Sequence, residues 1–279
     1  MKKNYHITCS DAGAANLIYH WYVANKKRYF FSFDLSGPAK KIFKKNHTKL
    51  NLKTDYIVTG TGKIKKKYIS TIKYGKKNNI KTISFVDHYT NYGSRFFYNK
   101  SLVLPNEVWV FDKTSFLLAK KFYKKSKIIL KKNYYLKFLI KNYLIYKKKK
   151  NKKNNILKIL FVSEPYLIKK NLVKIIVNNI YNFIKKYNKK IKLVLRQHPS
   201  EKSNYLLNYL NYKFKKDSNI KISFDNNLKI AKSLYESDIV IGGDTYALVL
   251  ASKLNKKVCT FLPIKKNLFH LPLKKVIKI

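Results

Sequence analysis

Cysteine, arginine and acidic residues are all scarce in this chain, and each scarcity closes off a class of function. Only two cysteines occur, Cys9 and Cys259, far apart and each inside an apolar run. They read as buried thiols rather than as a disulfide or a metal pair, and no Cys/His grouping has zinc spacing. No run reaches the roughly 18 apolar residues that a membrane span needs. Met1-Lys-Lys-Asn leads directly into an apolar strand pattern, with nothing that reads as a signal peptide, so the expected location is cytoplasmic. Carboxylates number 13 against 62 lysines and arginines, for a net charge of +49. Such a charge invites nucleic acid or an anionic membrane as partner. Arginine, however, occurs only at 28, 95 and 196, so 59 of the basic residues are lysine. Nucleic-acid readers lean on arginine for bidentate and stacking contacts, and no specific nucleic-acid partner is expected here. Lysine is joined by abundant Asn, Ile, Tyr and Phe, the mixture that A/T-rich codons produce.

If lysine fills the surface by default, the rare arginines and carboxylates become the informative residues. The chain has 279 residues and 46% apolar content, enough for one large domain or two ordinary ones. Apolar runs over 5–9, 29–33, 55–59, 82–86, 107–111 and 127–130 alternate with helical patterns, which predicts a parallel sheet. A strand order 3-2-1-4-5 would set strands one and four side by side at the switch point, where such sheets bind ligands. Ser10-Asp-Ala-Gly-Ala-Ala-Asn16 follows strand one. Its small residues let a ligand approach a helix start, and Ser10, Asp11, Gly13 and Asn16 are candidate cleft residues; the alternative is a tight capped turn. It is not a GxGxxG fingerprint, and Gly60-Thr-Gly62-Lys63 is not a Walker A loop. Strand four ends in Asp87-His88, followed by Arg95. A carboxylate at that crevice suits abstraction of a proton from a hydroxyl, with His88 orienting it and Arg95 beside the acceptor. The alternative is an Asp that caps the next turn.

The segment 136–146 is amphipathic, with Lys137 and Lys141 among apolar residues. It suits either an anionic membrane surface or an ordinary helix covering a sheet. Residues 146–155, almost all Lys and Asn, are the one composition break and read as a linker between domains at 1–145 and 156–279.

Strand–helix alternation restarts after the linker. A strand over 156–162 ends in Ser163-Glu164-Pro165. The run Leu193-Val-Leu195 ends in Arg196-Gln-His198-Pro199, where the chain must turn and where a helix start at Ser200-Glu201 is expected. A strand over 238–241 opens into Gly242-Gly243-Asp244-Thr245. Two glycines, a hydroxyl and the positive end of a helix suit the phosphates of a nucleotide. Arg196 and Pro199 belong to the same phosphate-binding wall, and Glu164 to the cleft. No DxD-type pattern stands out, so no metal is expected.

At these residues the chain resembles GT-B glycosyltransferases of bacterial surface-polysaccharide synthesis that carry a His-Pro motif. Bacterial sialyltransferases, capsule Kdo transferases and CDP-glycerol glycerophosphotransferases are examples. The resemblance implies an α/β chain of two Rossmann-like domains whose parallel sheets face each other across a cleft. It implies His198 beside the donor phosphate, assisting leaving-group departure. Thr245 matches a Ser/Thr position at a later helix start that binds the same phosphate, with Asp244 in place of its neighbour. Asp87 matches the base of an acidic motif in the first domain. The implied reaction is direct displacement from a nucleotide-activated sugar, a co-substrate rather than a cofactor, onto a glycan or lipid-linked acceptor. Sugar-nucleotide 2-epimerases share the architecture and a Gly-Gly helix start, with more carboxylates around that turn. A basic protein of nucleic-acid or membrane surfaces is the non-enzymatic alternative.

Overall fold

In the computed structural model of the chain, residues 2–51, 53–62, 65–148, 155–164, 170–198, 201, 203–227, 229–262, 269–273 and 275–279 are described. The chain divides into two units, Met1–Phe138 and Leu139–Ile279. Most of the Lys/Asn run, with Pro165, Pro199 and Ser200, lies outside the described residues.

The first unit runs β1 (Asn4–Cys9), α1 (Ala12–Asn25), β2 (Phe30–Leu35), α2 (Gly37–Phe43), β3 (Tyr56–Thr59), α3 (Lys65–Lys77) and β4 (Lys81–Phe85). A short antiparallel pair, β5 (Phe97–Tyr98) and β6 (Ser101–Leu102), then precedes β7 (Glu107–Val110), α4 (Lys113–Phe122) and β8 (Lys127–Leu130). The helix α5 (Tyr134–Lys148) follows. Apart from β5 and β6 the strands form one parallel sheet in the order β2-β1-β3-β4-β7-β8. This corrects the expected 3-2-1-4-5 order: β3 lies between β1 and β4, and the order reverses between β1 and β3.

Alternation along the strands explains the layers. Tyr5, Ile7 and Cys9 face one side, with Leu17, Ile18 and Trp21 of α1 and Phe43 of α2. Val108 and Val110 face the other, with Ile69 and Ile72 of α3 and Ala119 and Tyr123 of α4. Covering both faces makes central strands apolar throughout, as in β7, which is buried at all four positions. Local chemistry sets the helix starts. Asp11 caps α1 and Asp112 caps α4, each accepting a backbone N–H three residues on. Gly37 opens α2 at φ +50° where a Cβ would press on the Ser10 carbonyl, and Pro38 follows at the first turn.

The second unit contains β9 (Ile156–Val162), α6 (Lys170–Ile184), β10 (Lys190–Arg196), α7 (Tyr205–Phe214), β11 (Ile220–Phe224), α8 (Ile230–Glu236), β12 (Ile239–Gly242), α9 (Tyr246–Lys253), β13 (Lys257–Thr260) and β14 (Ile277–Lys278). All six strands are parallel, in the order β11-β10-β9-β12-β13-β14. Here the order reverses between β9 and β12. One face of the sheet packs on Val173, Val177 and Ile180 of α6 and Leu206 and Leu210 of α7. Helices α8 and α9 pack on β9, β12 and β13. The helix expected to start at Ser200-Glu201 begins later, at Tyr205, and Glu201 instead accepts a hydrogen bond from Ser163, just past the end of β9.

Candidate functional site

Each unit gathers titratable side chains at the carboxyl ends of its central strands. In the first, Asp11 follows β1 and accepts the Ala14 N–H at 3.0 Å through Oδ1. Its Oδ2 accepts the phenol proton of Tyr68, from α3, at 2.6 Å. The Tyr68 oxygen in turn accepts the Ser10 N–H at 2.9 Å and lies 2.6 Å from Ser10 Oγ. Ser10, Asp11 and Tyr68 are thus one buried network at the switch point.

Asp87 reaches this network although β3 intervenes. The end of β3 is Gly60-Thr61-Gly62, and a Cβ on Gly62 would overlap the Asp11 carboxylate. Asp87, from the end of β4, lies against Gly13, where a Cβ would overlap its Oδ2. Arg95 holds the other oxygen. Its Nη1 donates to Asp87 Oδ1 at 3.0 Å and to Thr61 Oγ1 at 2.8 Å, and its Nε donates to the Thr90 carbonyl at 3.0 Å. Arg95 is only 8% exposed, so it serves as a fixed counter-ion to Asp87. The Asp11 carboxyl is raised above its ordinary pKa, first by burial and then by the charge of Asp87. Of the remaining candidates here, Asn16 turns its amide back on the Ala12 carbonyl at 2.8 Å, and His88 Nδ1 lies 3.1 Å from Thr90 Oγ1 in its own loop.

In the second unit, Glu164 follows β9 and the Gly242–Thr245 turn follows β12, on the two sides of the switch point. Thr245 caps α9, accepting the Ala247 N–H. A Cβ on Gly242 would sit 3.0 Å from Thr245 Cγ2, so the turn is closed tightly against its own helix. Asp244 binds His270: Oδ1 accepts the His270 N–H at 3.0 Å and Oδ2 lies 2.6 Å from ring Nδ1. The turn after β10 is clamped to β9. Ser163 Oγ donates to the Glu201 carboxylate at 2.8–2.9 Å and accepts the His198 N–H at 3.3 Å. Glu201 also donates its N–H to the His198 carbonyl at 2.9 Å.

Glu164 is the most perturbed acid of this cluster. Burial, then the charges of Asp244 and Glu201, push it up to about 7. Its Oε1 is buried and has no hydrogen-bond partner among the described residues. Burial also raises Glu201. A carboxyl that is half protonated near neutral pH can give or take a proton, which an ordinary surface Glu does poorly.

Arg196, expected to face a phosphate, is tied to the end of β11. Its Nη1 donates to Asp225 Oδ2 at 2.6 Å, to the Asn227 carbonyl at 2.8 Å and to Ser233 Oγ at 3.1 Å. The Asp225 side chain is 1% exposed, so its charge requires this partner.

Four participants escape sequence reading. Tyr68 and Thr61 lie in a helix and a loop that only folding brings to Asp11 and Arg95. Glu201 sits beside the His-Pro pair and reads there as a helix start. His270, one of six histidines, follows a stretch with no motif. Among the described residues, no three His, Cys, Asp or Glu side chains form a metal site, and no helix is long and apolar enough to cross a membrane.

No protein-family model and no curated protein matches the chain. Solved structures do resemble it. The UDP-GlcNAc 2-epimerase of Methanocaldococcus jannaschii, solved with UDP-GlcNAc and UDP, aligns over 99% of this chain and 88% of its own at TM-score 0.67 and 14% identity. A glycosyltransferase from Rickettsia africae aligns over 100% and 84% at TM-score 0.61 and 14% identity. Anabaena HepE, solved with UDP-glucose, aligns over 91% and 80% at TM-score 0.57 and 11% identity. At such identities the likeness is one of fold, and the chain has the GT-B-like architecture of two Rossmann-type units.

Proposed function

We propose that the chain is a nucleotide-sugar-dependent enzyme that transfers a sugar, or a polyol phosphate, to a glycan or lipid-linked acceptor. The observation that carries this reading is the placement of the scarce carboxylates. Asp11 and Asp87 follow β1 and β4 in one unit, and Glu164, Glu201 and Asp244 follow β9, β10 and β12 in the other, so each lies past the carboxyl end of a strand that borders a switch point or is one strand from it. A surface rich in lysine gives no reason to concentrate acids there. In this reading Asp87, oriented by Arg95, takes the acceptor proton. The α9 start, with Thr245, meets the donor phosphate, and His198 and Glu164 supply protons to the departing group. Fold likeness to proteins solved with UDP-GlcNAc and UDP-glucose supports a UDP-linked donor.

Epimerisation at C2 of a nucleotide sugar is the second reading. It is favoured by Glu164 and Glu201, which add two carboxyl groups around Asp244. Incubation with UDP-GlcNAc, UDP-glucose, CMP- and CDP-linked donors in deuterated buffer, followed by proton NMR, separates the two. Transfer needs an acceptor and leaves C2 unlabelled; epimerisation needs none and exchanges the C2 proton. Failure to bind or turn over any donor sinks both.

A further inference from the structure

We propose that the first unit carries a second ligand site at the amino end of its sheet, a pocket for a single anionic sugar. The inference does not rest on the nucleotide-sugar reading. Tyr5, Tyr56, Lys81 and Glu107 lie at the starts of β1, β3, β4 and β7, whereas Asp11, Thr61 and Asp87 follow the ends of β1, β3 and β4. Around those four residues, with Trp21 and Trp109, the structure holds a cavity of about 280 Å³. Ligand sites begin near that size, at roughly 300 Å³, so the space suits one ring rather than a chain or a dinucleotide.

The walls are preformed. Tyr5 stacks on Tyr56 with ring centroids 4.7 Å apart, meets Trp21 edge-on at 5.3 Å and packs on Tyr29 at 4.9 Å. The Lys131 ammonium lies over the Trp109 ring at 4.2 Å. Tyr5, Tyr56 and Trp109 thus each already have a ring face in contact within the wall. A saturated, hydroxyl-bearing ring can pack its C–H groups on such aromatic walls and hydrogen-bond through its hydroxyls.

Charge selects the sign of the ligand. Glu107 is satisfied within the pocket: Lys81 Nζ lies 2.8 Å from Oε1, and Trp109 Nε1 donates to Oε2 at 2.8 Å. Lys131 and Lys132 also line the cavity, and among the described residues no carboxylate pairs with either. Lys132 also crowds Lys137, lowering the pKa of that ammonium by hydrogen bonding and repulsion. The rim therefore holds uncompensated positive charge that a carboxylate or phosphate on the sugar would relieve.

The chain's only two tryptophans, Trp21 and Trp109, both line the pocket, so intrinsic fluorescence reports its occupancy. The full chain is titrated with glucuronic acid at fixed ionic strength, with glucose and inorganic phosphate as parallel arms. A saturable fluorescence change with glucuronic acid is expected, at least about tenfold weaker with either control. The double variant Lys131→Glu/Lys132→Glu should weaken it by a further tenfold or so at unchanged circular dichroism. Lys132→Glu alone should act in the same direction, and serves if the double variant does not fold. No saturable change, an equal response to glucose or phosphate, or undiminished binding in a folded variant overturns the proposal.

Discussion

Asp244 grips His270 at two points, accepting its backbone N–H at 3.0 Å and lying 2.6 Å from its ring Nδ1. One carboxylate thereby fixes a histidine 26 residues away beside the start of α9. The same charge acts on Glu164, the one acid whose pKa is pushed to about 7. Asp244 is therefore both an anchor and a tuner.

The first prediction follows from that second role. Asp244→Asn removes one of the negative charges that raise Glu164, so its titration midpoint should fall from about 7 toward the ordinary 4.5. Carbon-detected NMR of Glu164 reads this directly. Stability carries the same signature. Between 4.5 and about 7 the folded chain keeps a proton that the unfolded chain has released. The contribution is therefore fully present below 4.5 and lost as pH rises through about 7. The total is at most about 3 kcal/mol, less where solvent reaches the side chain. Glu164→Gln should flatten that part of the stability profile in pH-dependent thermal melts, and Glu201, also raised, accounts for part of the slope that remains. An unchanged profile would remove Glu164 from its poised role.

Arg95 and Asp87 form a buried pair, with side chains 8% and 15% exposed. Arg95→Met should cost about 3–5 kcal/mol, because it leaves a carboxylate buried near Asp11 without its counter-ion. Asp87→Asn in the Arg95→Met background should recover a large part of that loss. A double-mutant cycle from denaturant unfolding measures the coupling, which should exceed about 1 kcal/mol. For function the two differ: Asp87→Asn should abolish turnover in the single variant, while its fold persists.

Both sheets were legible in the sequence because parallel strands covered on two faces read as unbroken apolar runs. Their order was not. The 3-2-1-4-5 order expected of the first unit is not found there, since β3 lies between β1 and β4; that order occurs instead among the first five strands of the second unit, where β9 and β12 adjoin. Apolar runs carry no record of which neighbour they pair with. Asp87 still meets Gly13, because that residue has no Cβ to overlap the carboxylate. Arg196 shows the opposite case. It sits where a phosphate ligand was expected, yet Asp225, 29 residues on, binds it from the next strand.

Gly13 makes the third prediction. A Cβ there would overlap Oδ2 of Asp87, whose other oxygen Arg95 holds. The carboxylate has little freedom to retreat, so Gly13→Ala should destabilise by about 1–3 kcal/mol through overpacking. It should also depress turnover more than Asn16→Ala, since Asn16 bonds only its own helix. Thermal melts and initial rates on both variants check this.

The last prediction concerns Tyr68, whose hydroxyl joins Ser10 and Asp11. It donates to Asp11 at 2.6 Å, accepts the Ser10 N–H at 2.9 Å and lies 2.6 Å from Ser10 Oγ. Tyr68→Phe keeps the ring, 3% exposed, and deletes only the oxygen. The Ser10 N–H and the Asp11 carboxylate would lose that partner in a buried setting, a cost of about 1–3 kcal/mol. Asp11 would also lose one of the hydrogen bonds that oppose its raised pKa, so its midpoint should rise further. Loss of stability should therefore grow as pH rises from acid to neutral, because the ionised Asp11 depends most on the missing donor. Urea unfolding at acid and neutral pH tests the trend; a loss independent of pH would mean that the hydroxyl serves Ser10 alone.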